Sequence, residues 1–167
     1  DYALDWFVEL TSFGAVVGFG YASAAAYKIA KIEGEKRVIV PALIGTVISV
    51  SFALVQLVPR LTAVEAMDEN AYLLLSLWCL LGFIFYWRTV DNDSLTDYAG
   101  ISLSGAALFT MLLYSTVMWF MKRLAIANTP EEINAWFHRG GIMMIVIIML
   151  GLAIMLYIQD HVRKKHE

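Results

Sequence analysis

Apolar residues fill five long runs of this chain, and polar residues gather in the short segments between them. The runs are Trp6–Tyr27, Val38–Pro59, Ala71–Trp87, Tyr98–Met121 and Gly140–Gln159. Each is close to the roughly 20 residues that an α-helix needs to cross a bilayer core. None shows the polar stripe that a surface helix of a soluble bundle carries. The pattern therefore predicts an all-α, polytopic transmembrane helical bundle of five spans, each satisfying its own backbone hydrogen bonds.

The composition points in the same direction and excludes several functions. Hydrophobic residues make up 60% of the chain and charged residues 16%, against about 45–50% and about 25% in soluble domains. No large basic cluster is present, so we expect no nucleic-acid partner. Cys79 is the only cysteine, which excludes an internal disulfide and a cysteine-based metal site. We expect no enzyme activity, no cofactor and no metal site in these residues.

Lysine and arginine set the predicted orientation, because the cytoplasmic loops of membrane proteins are rich in them. With the N-terminus outside and the C-terminus inside, eight basic residues fall on the cytoplasmic side: Lys28, Lys31, Lys36, Arg37, Arg88, Arg163, Lys164 and Lys165. The other four fall outside: Arg60, Lys122, Arg123 and Arg139. The opposite orientation inverts this ratio. We therefore predict an N-out, C-in protein with several spans in the cell (inner or plasma) membrane.

Two connecting segments carry further signals. The acidic stretch 91–99 separates the first three runs from the last two and predicts a cytoplasmic linker. In Asn128–Gly141, Thr129 as N-cap, Pro130 and Glu132 form a helix-start pattern. This pattern predicts a short helix on the outer leaflet, with an ordinary outer loop as the alternative. Trp136 is then expected at headgroup level as an interfacial anchor.

The first run is unusual in its content of small residues. Gly14 and Gly18 are four residues apart, and Ser12 and Gly20 add further points of close approach. Helices in lipid associate by close packing, which small residues permit. We predict that Ser12, Gly14, Gly18 and Gly20 form a helix-packing surface in a bundle of more than five helices. The same residues are candidates for the wall of a solute pathway.

Polar residues within the second run need a separate interpretation. Ser49, Ser51 and Gln56 lie inside an otherwise apolar stretch. Polar groups at membrane depth bond across helices or line a pathway, and we favour bonds between helices here. No ionisable residue lies near the middle of any run, so an ion-coupling site is expected elsewhere in the polypeptide.

Two motifs lie in the first ninety residues. The stretch Glu9–Lys31 opens with E-L-T-S-F-G-A, continues through small apolar residues and ends in a basic turn. Trp78–Arg88 ends with Gly82, Tyr86 and Arg88. In these features the chain resembles the tenth to twelfth helices of the amino acid–polyamine–organocation (APC) superfamily permeases, with Val38–Pro59 in the place of the eleventh and Ala71–Trp87 in that of the twelfth. The last permease helix closes with G-x-x-x-Y-x-x-R, which this chain matches with slightly different spacing.

The resemblance implies a permease-like transmembrane domain at 1–90 that takes part in transport of amino acids or related amines by alternating access. Such permeases bind the substrate carboxylate on their first and sixth helices, which correspond to no part of this chain, so no substrate-binding residue is carried over. The implied partners are the lipid bilayer, further transmembrane helices of the same polypeptide and a small amino acid or amine solute. The chain is accordingly expected to be a fragment. A plain membrane anchor is an alternative that leaves the small residues without an explanation.

Residues 100–167 depart from the permease pattern, which ends near Arg88. They predict two additional transmembrane helices, an outer interfacial loop and a helix that leaves the membrane near Gln159. Arg163, Lys164 and Lys165 predict an anchor at the anionic inner surface. This layout resembles bacterial sensor histidine kinases that have a permease-like input region. The alternative function is therefore solute sensing and signal transduction to a downstream cytoplasmic output domain, beside a transporter that simply has two extra spans.

Overall fold

The computed structural model describes residues 2–58, 67–92 and 103–166, and this part of the chain is helical, without β-strands. The helices are α1 (Tyr2–Glu33), α2 (Lys36–Leu57), α3 (Glu69–Asn92), α4 (Leu103–Ile126) and α5 (Pro130–His166). All five are long and apolar enough to cross a membrane. The predicted all-α class and the five apolar helices are confirmed.

The helices belong to two compact units, Asp1–Ala71 and Tyr72–Glu167. The first unit holds α1 and α2, and the second holds α4, α5 and nearly all of α3. The predicted division into 1–90, 91–99 and 100–167 follows the permease resemblance and stays a prediction. Most of the predicted linker 91–99 lies outside the described residues, because α3 ends at Asn92 and the residues directly after it are not described.

A tight turn joins α1 to α2 in the first unit. Gly34 has φ 76°, a left-handed conformation that glycine adopts without steric cost. The N–H of Glu35 donates to the carbonyl oxygen of Ala30 at 2.9 Å, which is the bond that closes a Schellman motif at a helix C-terminus. This turn reverses the chain, so that α1 and α2 form an antiparallel hairpin.

Small residues bring the two helices of this hairpin close together. A Cβ atom added to Gly20 would lie 3.2 Å from Cβ of Ser49, and one added to Gly45 would lie 2.7 Å from Oγ of Ser23. The two pairs run in opposite directions along the helices, as an antiparallel contact requires. Because the glycines lack a Cβ, the backbones approach more closely than larger side chains would allow.

The second unit uses glycines in a similar way. A Cβ on Gly82 of α3 would lie 3.1 Å from Leu108 of α4. Leu112 of α4 is fully buried and occupies the space beside Gly151 of α5. The three helices therefore pack by placing leucine side chains of α4 against positions that have no side chain.

The last helix differs from the prediction in one respect. Its start is as predicted, because the N–H of Glu132 donates to Oγ1 of Thr129 at 3.2 Å and Oε2 of Glu132 accepts from the N–H of Asn128 at 3.1 Å. However, α5 is one continuous helix of 37 residues, so a separate short outer helix or loop before the last span is wrong. Gly140 lies inside this helix, where it is buried beside Phe120 and Trp136. That packing offsets the low helix propensity of glycine.

Replacing Gly45 by leucine is expected to destabilise the α1–α2 hairpin, because the new side chain meets Ser23 where no space is left. Overpacking of this kind costs about 1–3 kcal/mol. The matched control is Gly18→Leu, since nothing lies within 4 Å of a Cβ placed there. Thermal unfolding of the chain in detergent measures both variants. Equal melting temperatures for Gly45→Leu and Gly18→Leu would contradict the contact.

Candidate functional site

The four predicted site residues of α1 lie on different faces of the helix. At about 100° per residue, Gly14 and Gly18 are about 40° apart, whereas Gly18 and Gly20 are about 160° apart. Gly20 lies against Ser49 of α2. Nothing lies within 4 Å of a Cβ added to Gly14 or Gly18, and Ser12 is exposed. The structure thus brings Gly20 into the hairpin contact and does not bring Ser12, Gly14 and Gly18 into it.

The surface that includes Gly14 and Gly18, here called the open glycine face, has a distinct chemical character. Both glycines are exposed, so the helix backbone itself is accessible there. A surface of this kind accepts another helix at short range or lets a solute pass close to the backbone. The packing and pathway roles of Ser12, Gly14 and Gly18 stay predictions.

A carboxylate of α1 bonds to the segment just before α3. Oε2 of Glu9 accepts a hydrogen bond from the N–H of Asp68 at 2.8 Å, and a charged acceptor makes this a strong bond. The N–H of Met67 donates to the carbonyl oxygen of Gln56 in α2 at 3.3 Å. These bonds hold the segment close to the ends of both helices. Glu9 is the only charged residue within the five apolar runs. A single charge in an apolar run was the sequence feature that could have indicated a bonding partner for Glu9.

Acidic and polar residues gather at this end of the first unit without forming a metal site. Asn70 donates to Oδ2 of Asp68 at 3.4 Å. Within the described residues, no group of three or more His, Cys, Asp and Glu side chains is placed to hold a metal ion. The hydrogen bonds of this arrangement fix the chain segment that precedes α3.

Three buried hydroxyl groups join α3 to α4. Ser76, Ser115 and Thr116, here called the hydroxyl cluster, are all fully buried. Oγ of Ser76 lies 2.9 Å from Oγ of Ser115, and Oγ1 of Thr116 donates to Oγ of Ser76 at 3.1 Å. Polar side chains that pair across helices hold membrane helices together.

Each hydroxyl of the cluster also has an acceptor in its own helix. The Ser76 hydroxyl donates to the carbonyl oxygen of Tyr72 at 3.0 Å. Ser115 and Thr116 both reach the carbonyl oxygen of Leu112, at 3.2 Å and 2.7 Å. A hydroxyl has one proton and two acceptor lone pairs. The cluster therefore has more close contacts than protons to donate, so not all of these contacts can be hydrogen bonds at the same time.

The hydroxyl cluster was not predicted from the sequence. The predicted bonds between helices concerned the polar residues of the second run instead. Ser51 donates to the carbonyl oxygen of Val47 in its own helix at 2.9 Å, and its expected bond to another helix stays a prediction. Ser49 packs against Gly20. One sequence feature could have indicated the cluster: hydroxyl residues lie within the apolar runs of two successive spans. Polar groups at membrane depth need partners, so these hydroxyl groups could have been expected to bond to one another.

Trp136, the predicted outer anchor, belongs to an aromatic group between α4 and α5. The guanidinium carbon of Arg123 lies 4.6 Å from the centroid of the Trp136 ring. The rings of Phe120 and Phe137 are 6.3 Å apart, centroid to centroid. Gly140 gives these rings the space to pack against the helix. The position of Trp136 in a bilayer stays a prediction.

The opposite end of α5 carries a second aromatic group. The rings of Trp87 and Tyr157 are 5.5 Å apart and nearly perpendicular, and His161 stacks on Tyr157 at 6.2 Å. Trp136 and Tyr157 are separated by about 32 Å of helix. A bilayer core is about 30 Å thick, so α5 carries aromatic residues at the spacing of two membrane interfaces.

The predicted inner anchors lie in the last turns of α5. Lys164 is exposed and forms an ion pair with Asp160 at 2.6 Å. Arg163 and Lys165 belong to the same helix, and their side chains lie outside the described part of the chain. An exposed ion pair between residues four apart contributes only about 0.3–0.5 kcal/mol, so it supports the end of the helix modestly.

The chain matches no protein-family model, no curated protein and no solved structure. The residues and their geometry therefore carry the functional interpretation.

Thr116→Val is expected to destabilise the second unit, because it removes a buried hydroxyl that bonds to α3. Bonds of this type in membrane proteins contribute about 0.6 kcal/mol on average. Thr110→Val is the matched control, since Thr110 is exposed on the same helix and donates only to Ala106 four residues before it. A double-mutant cycle with Ser76→Ala, read by unfolding in detergent, measures the coupling. Zero coupling between Ser76 and Thr116 would rule out a contribution of their bond to stability.

Proposed function

We propose that the chain is the C-terminal membrane part of a permease-like transporter for amino acids or related amines. The observation that carries this proposal is the division of α1 into two faces. Gly20 packs on α2, whereas Gly14 and Gly18 lie on the open glycine face. A helix held rigidly on one side and open to the backbone on the other suits a position inside a larger bundle, next to a solute pathway.

The proposed mechanism is alternating access, in which groups of helices rock against each other around a central solute. The contacts of Gly20 with Ser49 and of Gly45 with Ser23 make the α1–α2 hairpin move as one body. In this scheme the hairpin is scaffold and part of the pathway wall. The groups that bind the solute belong to other helices of the polypeptide, as the permease resemblance implies.

The proposed location is the cell membrane, with the N-terminus outside and the C-terminus inside. The distribution of basic residues supports this orientation. The aromatic groups at both ends of α5 support a span between Trp136 and Tyr157. Trp136 then lies at the outer interface, and Lys164 lies at the inner surface beside Arg163 and Lys165.

Cysteine labelling tests the orientation. In a Cys79→Ala background, Glu131→Cys is expected to react with a membrane-impermeant maleimide on intact cells, because Glu131 is exposed at the start of α5. Lys164→Cys is expected to react only after the cells are permeabilised. Cys79 is the one cysteine of the chain, so the Cys79→Ala protein without an added cysteine controls for background labelling. The reverse pattern at the two sites would overturn the orientation.

Solute uptake tests the function. The intact gene product that carries this sequence, reconstituted in liposomes, is expected to take up at least one radiolabelled amino acid or amine in a saturable manner. Gly14→Leu should lower the uptake rate by roughly tenfold or more, because a misplaced pathway wall disturbs the solute position. Gly141→Leu is the matched control, since nothing lies within 4 Å of a Cβ there either and it lies outside the permease-like region. Absence of uptake across a panel of amino acids and amines would refute the proposal.

The length of α5 favours solute sensing as a second candidate function. The helix continues to His166, past the end of its apolar run at Gln159. Its 37 residues correspond to about 55 Å, well beyond a bilayer core of about 30 Å. Such a helix can carry a displacement from the membrane to a cytoplasmic output domain. In the uptake experiment, saturable solute binding without translocation would favour the sensor over the transporter.

A further inference from the structure

We propose that an aromatic corner, formed by Trp87 of α3 and Tyr157 of α5, binds the ammonium group of a zwitterionic phospholipid headgroup. The centroids of the two rings are 5.5 Å apart, and the ring planes are nearly perpendicular, at 87°. Two rings that meet edge to face at a right angle leave a corner in which a cation can touch a face of each ring. The proposal is independent of whether the protein transports or senses a solute.

The chemistry of the aromatic corner suits an ammonium group. The face of an aromatic ring carries the negative part of its quadrupole and attracts cations. Among aromatic side chains tryptophan attracts cations best, and arrangements of several rings recognise quaternary ammonium groups such as choline. Trp87 is 36% exposed and Tyr157 is 56% exposed, so a headgroup can reach both rings from outside the helices.

Contacts within the second unit hold the ring of Tyr157 in place. His161, one turn further along α5, stacks on this ring with the centroids 6.2 Å apart and an angle of 21° between the planes. The edge-to-face contact with Trp87 restrains the ring from a second direction. The ammonium group is therefore placed on the part of Tyr157 that His161 leaves open. Since the ring is ordered in advance, binding costs less conformational entropy.

The charged side chains at this end favour a zwitterionic headgroup over a free amine. Arg88 directly follows Trp87 and is exposed. Asp160, one turn after Tyr157, forms an ion pair with Lys164. Two of these three charges are positive, so together they repel a lone cation but accept a headgroup that carries its own phosphate. The guanidinium of Arg88 also has the planar fork of donors that matches phosphate oxygens.

The position of the aromatic corner along the helices also fits a lipid headgroup. The spacing of Trp136 and Tyr157 along α5 matches the distance between two membrane interfaces, which is where lipid headgroups lie. Leu156 directly precedes Tyr157, and its side chain is about half exposed. Ile84, one turn before Trp87, is exposed to the same degree. Both residues lie toward the middle of their apolar runs, where they suit contact with the acyl chains of the same lipid.

Native mass spectrometry of the intact gene product in detergent tests the proposal. The probes are phosphatidylcholine and phosphatidylglycerol with identical acyl chains, of which only phosphatidylcholine carries an ammonium group, and tetramethylammonium as a free cation. Trp87→Leu is expected to lower the apparent affinity for phosphatidylcholine by about threefold to fivefold, because an exposed cation–π contact is lost. The affinity for phosphatidylglycerol should not change. The matched control is Trp78→Leu, since Trp78 is exposed on the same helix, about 13 Å away along its axis.

Each outcome decides the question. A loss of phosphatidylcholine affinity in Trp87→Leu that is absent for phosphatidylglycerol and absent in Trp78→Leu supports the site. Unchanged affinity in Trp87→Leu, an equal loss for phosphatidylglycerol, or an equal loss in Trp78→Leu overturns it. Tetramethylammonium that displaces the lipid at equal concentration overturns the headgroup assignment in favour of a free amine. Trp87→Phe, which keeps a smaller ring, serves if Trp87→Leu does not fold: it should bind phosphatidylcholine about twofold more weakly, and wild-type affinity would again overturn the site.

Discussion

Helices that share a bilayer gain little by hiding apolar surface from one another, because the lipid is as apolar as their side chains. Contact between them must come from close fit and polar pairing, and this chain uses both. In the first unit Ser49 and Ser23 lie against glycines of the opposite helix, and in the second Leu112 fills the space beside Gly151. The hydroxyl cluster supplies the polar pairing. Most large apolar side chains of the described residues remain exposed, as lipid contact allows.

The helices and their class could be predicted because hydrophobicity along the chain is a local property. Five apolar runs of the right length allow few other structures. The face of α1 that packs on α2 could not be predicted, because small residues occur on more than one side of that helix. Gly14 and Gly18 form the more regular pattern, yet Gly20 makes the contact, since Ser49 and Gly45 of α2 meet α1 on that side.

The groups missed from the sequence all depend on partners far along the chain. Glu9 bonds to Asp68, and Ser76 bonds to Ser115 and Thr116. A polar residue in an apolar run indicates that a partner exists but does not identify it. The continuous α5 illustrates the reverse case, in which packing around Gly140 prevails over a local preference for a break.

The hydroxyl cluster has a mechanical consequence. Every hydroxyl in it has an acceptor on its own helix, the carbonyl oxygen of Tyr72 for Ser76 and that of Leu112 for Ser115 and Thr116. If α3 shears past α4 by a fraction of a turn, the protons rotate back to these carbonyls and no buried group is left without a bond. Such a movement therefore breaks only weak bonds within the cluster, and the packing of Leu108 against Gly82 is left to fix the position of α3 along α4.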